Sequence, residues 1–219
     1  MIKYVALPFI CLLMYVTSEA QVIIYRQLPN TIGAQKQISR GQRKLLSKKF
    51  EPTVNISIGY GFPNIDKKYL PAYYNTYYGT VSQKGPVTGS LDYQFSRRMS
   101  IGVLVTHGTI EAPYFDYFSS LPVFSTKLNN WGFMLNIVRY FPAGRKIVPY
   151  LRTAIGLNKW KQEYADPAGN KISMPEAEMP DFARQVALGA KFNLSKKAGL
   201  FIEAGYGKYI MQGGLAVKF

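Results

Sequence analysis

The chain has 219 residues, 47% apolar and 18% charged, with 27 Lys and Arg against 12 Asp and Glu, for a formal net charge of +15. That length fits one domain with a short appendage, and the apolar share excludes a disordered or acidic tail. One Cys and one His exclude zinc clusters, disulfide frameworks and most histidine-dependent metal chemistry, while 17 Tyr and 13 Phe are a heavy aromatic load for a soluble enzyme.

The chain opens with Lys3, an apolar run from Tyr4 to Val16, and then Thr17, Ser18, Glu19 and Ala20. This order predicts a secretory signal peptide over 1–20, cleaved to leave Gln21. The run is about 13 residues where a spanning helix needs about 20. Cys11 follows Ile10, lacks the small preceding residue of a lipoprotein site, and is expected to leave with the signal. A mature chain without cysteine suits an oxidising periplasm.

Residues 21–51 form a basic periplasmic extension with Arg26, Lys36, Arg40, Arg43, Lys44, Lys48 and Lys49 against Glu51, a net of +6. Ile38, Leu45, Leu46 and Phe50 recur at helical spacing. Two readings stand: a basic amphipathic helix on inner-leaflet headgroups, weakened by about 1 kcal/mol at Gly41, or a solvated disordered leader. No base-stacking or groove-reading module accompanies the charge, so nucleic acid is not an expected partner.

From Thr53 the apolar period becomes two, the mark of strands with one apolar face. Val54, Ile56, Ile58 and Tyr60 oppose Asn55, Ser57, Gly59 and Gly61; Val87, Leu91, Tyr93 and Phe95 oppose Thr88, Ser90, Asp92 and Gln94. Ile101, Val103 and Val105 oppose Ser100, Gly102 and Thr106, with Leu104 out of pattern; Trp131, Phe133, Leu135 and Ile137 oppose Asn130, Gly132, Met134 and Asn136. Leu151, Ile155 and Leu157 then oppose Arg152, Ala154, Gly156 and Asn158, and Phe182, Val186, Leu188, Ala190 and Phe192 oppose Gln185, Ala187, Gly189, Lys191 and Asn193. In a final hairpin Leu200, Ile202, Ala204 and Tyr206 oppose Phe201, Glu203, Gly205 and Gly207, and Leu215, Val217 and Phe219 oppose Gly214, Ala216 and Lys218.

Connections alternate in length. Ser96–Met99, Pro142–Lys146 and Ser195–Ala198 are tight turns. Phe62–Gly85, Thr109–Lys127 and Lys159–Asp181 are long, and one near Lys208–Gln212 is short. This predicts an all-β, eight-stranded, antiparallel up-and-down barrel over 52–219. A soluble lipid-carrying barrel would keep its apolar face inside. Here the polar face is crowded with Gly, Ala, Ser and Asn, too small and wet to hold a lipid, whereas the apolar face ends in Tyr60, Phe95, Phe141, Tyr150 and Tyr206, as a girdle at a bilayer interface would. A transmembrane barrel is therefore expected.

These strands, their loop alternation and the final Gly-Gly-Leu-Ala-Val-Lys-Phe resemble the small bacterial outer-membrane barrels of the OmpA transmembrane-domain and OmpX type. The resemblance implies an outer-membrane location with termini and short turns in the periplasm, and contact with outer-membrane lipids. It also implies a porin-like envelope protein whose Leu215, Val217 and Phe219 resemble the signal read by the barrel-assembly machinery. No cofactor is implied.

Parity turns Asp92, Arg152, Lys191, Glu203 and Lys218 inward, with Lys191, Glu203 and Lys218 expected at similar depth and Arg152 one strand away. Such a cluster is either a structural ion-pair network filling a narrow lumen or a gate for small ions or solutes worked by Glu203. The loops carry Tyr69, Tyr73, Tyr74, Tyr77 and Tyr78, then Tyr114, Phe115, Tyr117, Phe118 and Phe124. These aromatics either bind an extracellular protein or glycan, or pack between strands that extend above the membrane. The basic turns, with Arg97, Arg98, Arg145, Lys146, Lys196 and Lys197, are expected to face inner-leaflet headgroups or an acidic periplasmic partner.

Enzymatic candidates are thin. His107 lies near Asp116, Ser119 and Ser120, superficially like an outer-membrane lipid-modifying site, but no nucleophile spacing, phosphate loop or metal cluster accompanies it. No catalytic or metal-binding residue is assigned, and a surface-interaction or structural element is expected ahead of a narrow channel.

Overall fold

A computed structural model describes residues 50–70, 81–115, 121–141, 146–174 and 178–219. The expected signal peptide and nearly all of the basic extension lie outside them.

Alternating segments become strands: β1 Thr53–Asn64, β2 Ser82–Gln94, β3 Met99–Phe115, β4 Pro122–Tyr140, β5 Ile147–Ala165, a short β6 Lys171–Ile172, β7 Phe182–Asn193, β8 Ala198–Tyr206 and β9 Tyr209–Lys218. Each long strand pairs antiparallel with its sequence neighbour, β5 passing to β7, while β6 adds two rungs to the tip of β5. β1 pairs with β9, through Ile56 with Val217 and Ile58 with Leu215, so the sheet closes on itself as an eight-stranded barrel. Backbone bonds between Val54 and Phe219 finish the seam. Closure leaves no long strand with an unpaired edge, the condition for placing β-structure in lipid.

The outward face is apolar to a degree that water does not support. Leu135 and Leu157 are 67% and 66% exposed, amid Ile58, Phe133, Ile137, Ile155, Leu188 and Ile202. The barrel is a transmembrane one. Along β4 and the residue after it, the outward row runs from Trp131 to Phe141 and is apolar except at Arg139. Ten positions span about 34 Å of strand, or about 26 Å along the axis at a tilt near 40°, close to the usual height of such a belt.

The strands are longer than the sequence suggested. β3 continues to Phe115, β4 starts at Pro122 and β5 runs to Ala165, taking in much of what read as loop. The period of two persists there, but its sense inverts: Ile110, Ala112, Phe124, Leu128 and Tyr164 are buried inside while Lys127 and Lys161 stand outside. The first long connection is likewise shorter at both ends, because β1 reaches Asn64, a 3-10 turn η1 covers Ile65–Tyr69, and β2 starts at Ser82.

Two further expectations change. Tyr150 is not a girdle residue; it shares parity with Arg152 and is buried in the lumen. The last hairpin turns at Gly207 and Lys208, earlier than expected, so that β9 starts at Tyr209. Gly207 adopts φ 146°, and a Cβ there would sit 2.0 Å from the Arg184 carbonyl oxygen, so only glycine makes this tight turn.

Candidate functional site

The lumen is filled in layers, and each layer follows from which inward side chains meet across the ring. Nearest the short turns is a charged plug. Arg152 of β5 reaches both acids, with Nε 3.1 Å from Glu203 Oε1 on β8 and Nη2 3.9 Å from Asp92 Oδ2 on β2. The Nε contact is an ion pair without the alignment of a hydrogen bond, and Nη1 has no hydrogen-bond partner among the described residues. Glu203 is otherwise saturated: Tyr150 Oη donates to Oε1 at 2.7 Å and Tyr209 Oη to Oε2 at 2.6 Å. Asp92 accepts from Ser90 Oγ at 2.8 Å and from Asn136 Nδ2. Gly189 makes this possible, since a Cβ there would lie 2.6 Å from Tyr150 Cζ and 2.8 Å from Glu203 Cγ. Buried charges are tolerated only when paired and hydrogen-bonded, and both carboxylates meet that condition.

The next layer is apolar, with Leu104, Met134, Ala154 and Ala183 packed across the lumen. Leu104, out of pattern among its neighbours, therefore has a role: it excludes water between two polar layers.

At the loop-side mouth η1 folds into the opening. Asn64 Oδ1 caps the turn by accepting from Asp66 N at 3.1 Å, and Asp66 points inward to take Asn130 Nδ2 at 2.7 Å and Lys208 Nζ at 3.1 Å. Asp66 and Lys208 are both buried, and the Lys208 ammonium sits 5.4 Å from the Trp160 ring centroid, against which Tyr69 packs edge-on.

Above this seal lies a second core of Leu70, Ile110, Ala112, Phe124, Leu128 and Tyr164, with Val81, Tyr114, Ile172 and Met179 against it. Tyr114 and Phe124 stack with centroids 4.8 Å apart. The exterior of this extension is charged: Lys127 pairs with Glu111 at 3.1 Å, and Lys161 and Lys171 pair with Glu163 at 2.8 and 3.5 Å. The hydrogen bond from Lys161, followed by the charges of Lys161 and Lys171, holds the Glu163 carboxyl below the usual carboxylate range. In the β5–β6 turn, hydrogen bonds from Asn170 do the same for Asp166.

Of the residues singled out in the sequence, Asp92, Arg152 and Glu203 meet in one plug. Arg152 is its centre, not an outlier. Lys191 and Lys218 stand apart from it: Lys191 Nζ donates to Asn55 Oδ1 at 3.3 Å, and no carboxylate pairs with Lys218 among the described residues. Tyr114 belongs to the extension core and Phe115 ends β3, whereas Tyr73, Tyr74, Tyr77, Tyr78, Tyr117 and Phe118 lie outside the described residues. Leu215, Val217 and Phe219 are exposed on the outward face. His107 stacks on Trp131 at 4.2 Å with Nδ1 3.3 Å from Asn130 O; Asp116, Ser119 and Ser120 lie outside the described residues.

Parity had already set Asn130 on the polar face, but sequence reading missed Asp66, Lys208, Tyr150 and Tyr209. Parity alone could have placed Tyr150 inside. Asp66 and Lys208 sit on turns, where no period exists to read.

No family model matches the chain, and no curated protein matches it. Solved structures with a similar trace include a de novo designed transmembrane β-barrel, with a TM-score of 0.43 and 15% identity over 78% of this chain and 100% of that one. Another is Ail, the attachment invasion locus protein of Yersinia pestis, in complex with the heparin analogue sucrose octasulfate, at 0.42 and 16% over 78% and 100%. A third is the N-terminal β-barrel domain of Pseudomonas aeruginosa OprF, at 0.39 and 12% over 77% and 97%.

Proposed function

We propose that this chain is an outer-membrane barrel with its short turns in the periplasm, and that it serves as a closed scaffold presenting its loop-side extension to an extracellular protein or glycan. The observation that carries this reading is the filled lumen. The Asp92–Arg152–Glu203 plug, the apolar layer at Leu104 and Met134, and the Asp66–Lys208 seal succeed one another along the axis. A solute would have to undo all of them, whereas the apolar core beneath the charged extension supports a stiff projecting surface.

A narrow channel is the second reading, favoured by buried polar atoms that lack partners: Arg152 Nη1, Asn136 Oδ1 and both amide atoms of Gln212. Recordings in planar bilayers separate the two. The scaffold reading expects a silent trace from the native barrel, and discrete openings in it would overturn that reading. If openings occur, an unchanged conductance in Glu203→Ala would remove the gate from the channel reading. The lipid-modifying alternative gains no support from His107, whose ring is occupied by Trp131.

A further inference from the structure

The turn-side end of the lumen carries positive charge that the plug does not use. Lys191 of β7 crosses the ring, passing the floor that Gly199 leaves open, where a Cβ would lie 3.4 Å from Lys191 Cε. It ends with Nζ donating to Asn55 Oδ1 on β1 at 3.3 Å. The register sets Asn55 directly between Asp92 of β2 and Lys218 of β9.

Asn55 is 5% exposed, and with its oxygen accepting from Lys191 its Nδ2 is a buried donor with no acceptor among the described residues. A buried amide in that state costs free energy until something accepts from it. Among the described residues no carboxylate lies within ion-pair distance of Lys191 or Lys218. Asp92, beside Asn55 in register, is committed to Ser90, Asn136 and Arg152. Two lysines and an unanswered amide therefore share one end of the lumen, and the oxygen of that amide is already in use. Below them Arg98, Lys146, Lys196 and Lys197 are exposed on the turns, so the field at this mouth draws anions in.

We propose that this turn-side end of the lumen is an oxyanion site for a phosphate group, held by Lys191 Nζ, Lys218 Nζ and Asn55 Nδ2. The plug above makes it a blind site: the anion enters and leaves by the same mouth. Inorganic phosphate and the phosphodiester of a phospholipid headgroup offer the same acceptor oxygens, and they are told apart by experiment.

The test uses the full chain folded in an amine-oxide detergent, which contributes no phosphate, at 0.15 M salt so that diffuse attraction to the turns is screened. Inorganic phosphate is titrated in while the Asn55 side-chain amide signal is followed by NMR. In parallel, micelles doped with phosphatidylglycerol replace phosphate. Saturable movement of the Asn55 signal with either probe, and at least tenfold weaker binding in Lys191→Gln/Lys218→Gln, is the expected result. Response to phosphate identifies a soluble anion, and response to the doped micelles alone identifies a headgroup. Retention of the folded species on an unboiled gel qualifies the double variant, and Asn55→Asp, which puts a negative charge in the site, provides an independent loss of binding, read at the backbone amides of Lys191 and Lys218. No saturable shift with either probe, or binding that survives the double substitution, would overturn the proposal.

Discussion

The barrel wall and the extension above it share three strands, β3, β4 and β5, and obey opposite rules. Along β4, Leu135 and Phe133 face out while Asn136 and Asn130 face in; a few residues nearer the loops, Lys127 faces out while Leu128 and Phe124 face in. The change occurs across one rung, where His107 pairs with Trp131 and Trp131 with Lys159. The β3–β4 and β4–β5 ladders continue through that rung without a break, while the β2–β3 ladder bulges just beyond it, between Val87 and Lys84. What changes is the surrounding medium. Lipid takes apolar side chains at no cost and drives polar ones inward, and water does the reverse. The rung of a stacked His107 and Trp131 beside an exposed Lys159 has the amphipathic make-up of a bilayer interface.

Substitutions that treat the two regions alike should therefore have unlike effects. The largest is expected at the plug. Arg152→Ala leaves Glu203 and Asp92 buried without their cation, and is expected to lower barrel stability by about 3–5 kcal/mol, read as a shift in the urea midpoint of the barrel in vesicles. Next comes Leu135→Arg, on the lipid side near mid-belt, with an expected loss of about 2–4 kcal/mol in the same measurement. A loss of similar size from Lys127→Leu, which makes the extension exterior more apolar, would erase the contrast between the regions. The smallest is Leu128→Ala in the extension core, expected to cost about 2 kcal/mol. Its effect should appear as faster hydrogen exchange at the tips of β3, β4 and β5, with the heat-dependent gel mobility of the barrel retained. A collapse of the whole barrel instead would mean that the two cores act as one.

The ring itself was legible because parity is a local property. Each strand announces its two faces within a few residues, and a shear that staggers the strands does not alter which side chains point inward. Partnership across the lumen was not legible for the same reason. The stagger between β2, β5 and β8 decides that Arg152, and not Lys191, reaches Glu203, and no spacing within a strand encodes it. Strand ends were misjudged where the medium changes, since Glu111, Lys127 and Lys161 look like loop residues to any reading that expects the apolar face to stay outside. Lys208 and Asp66 were lost to a different cause: each belongs to a turn, and they meet because the 3-10 segment after β1 lies beside the β8–β9 turn, with Ile65 N donating to Lys208 O at 3.2 Å.

The seam between β1 and β9 also has a kinetic side. Asn55 pairs with Lys218 and Tyr60 with Gly213, so the ring is sealed by a pairing between its first and last strands. Contacts between neighbouring hairpins close short loops, but this one closes nearly the whole barrel sequence at once, and such long-range pairing slows folding. Until it forms, β1 and β9 each present an unpaired edge able to recruit a foreign strand. Assembly of this protein therefore depends on keeping two distant segments apart from other chains for as long as that pairing takes.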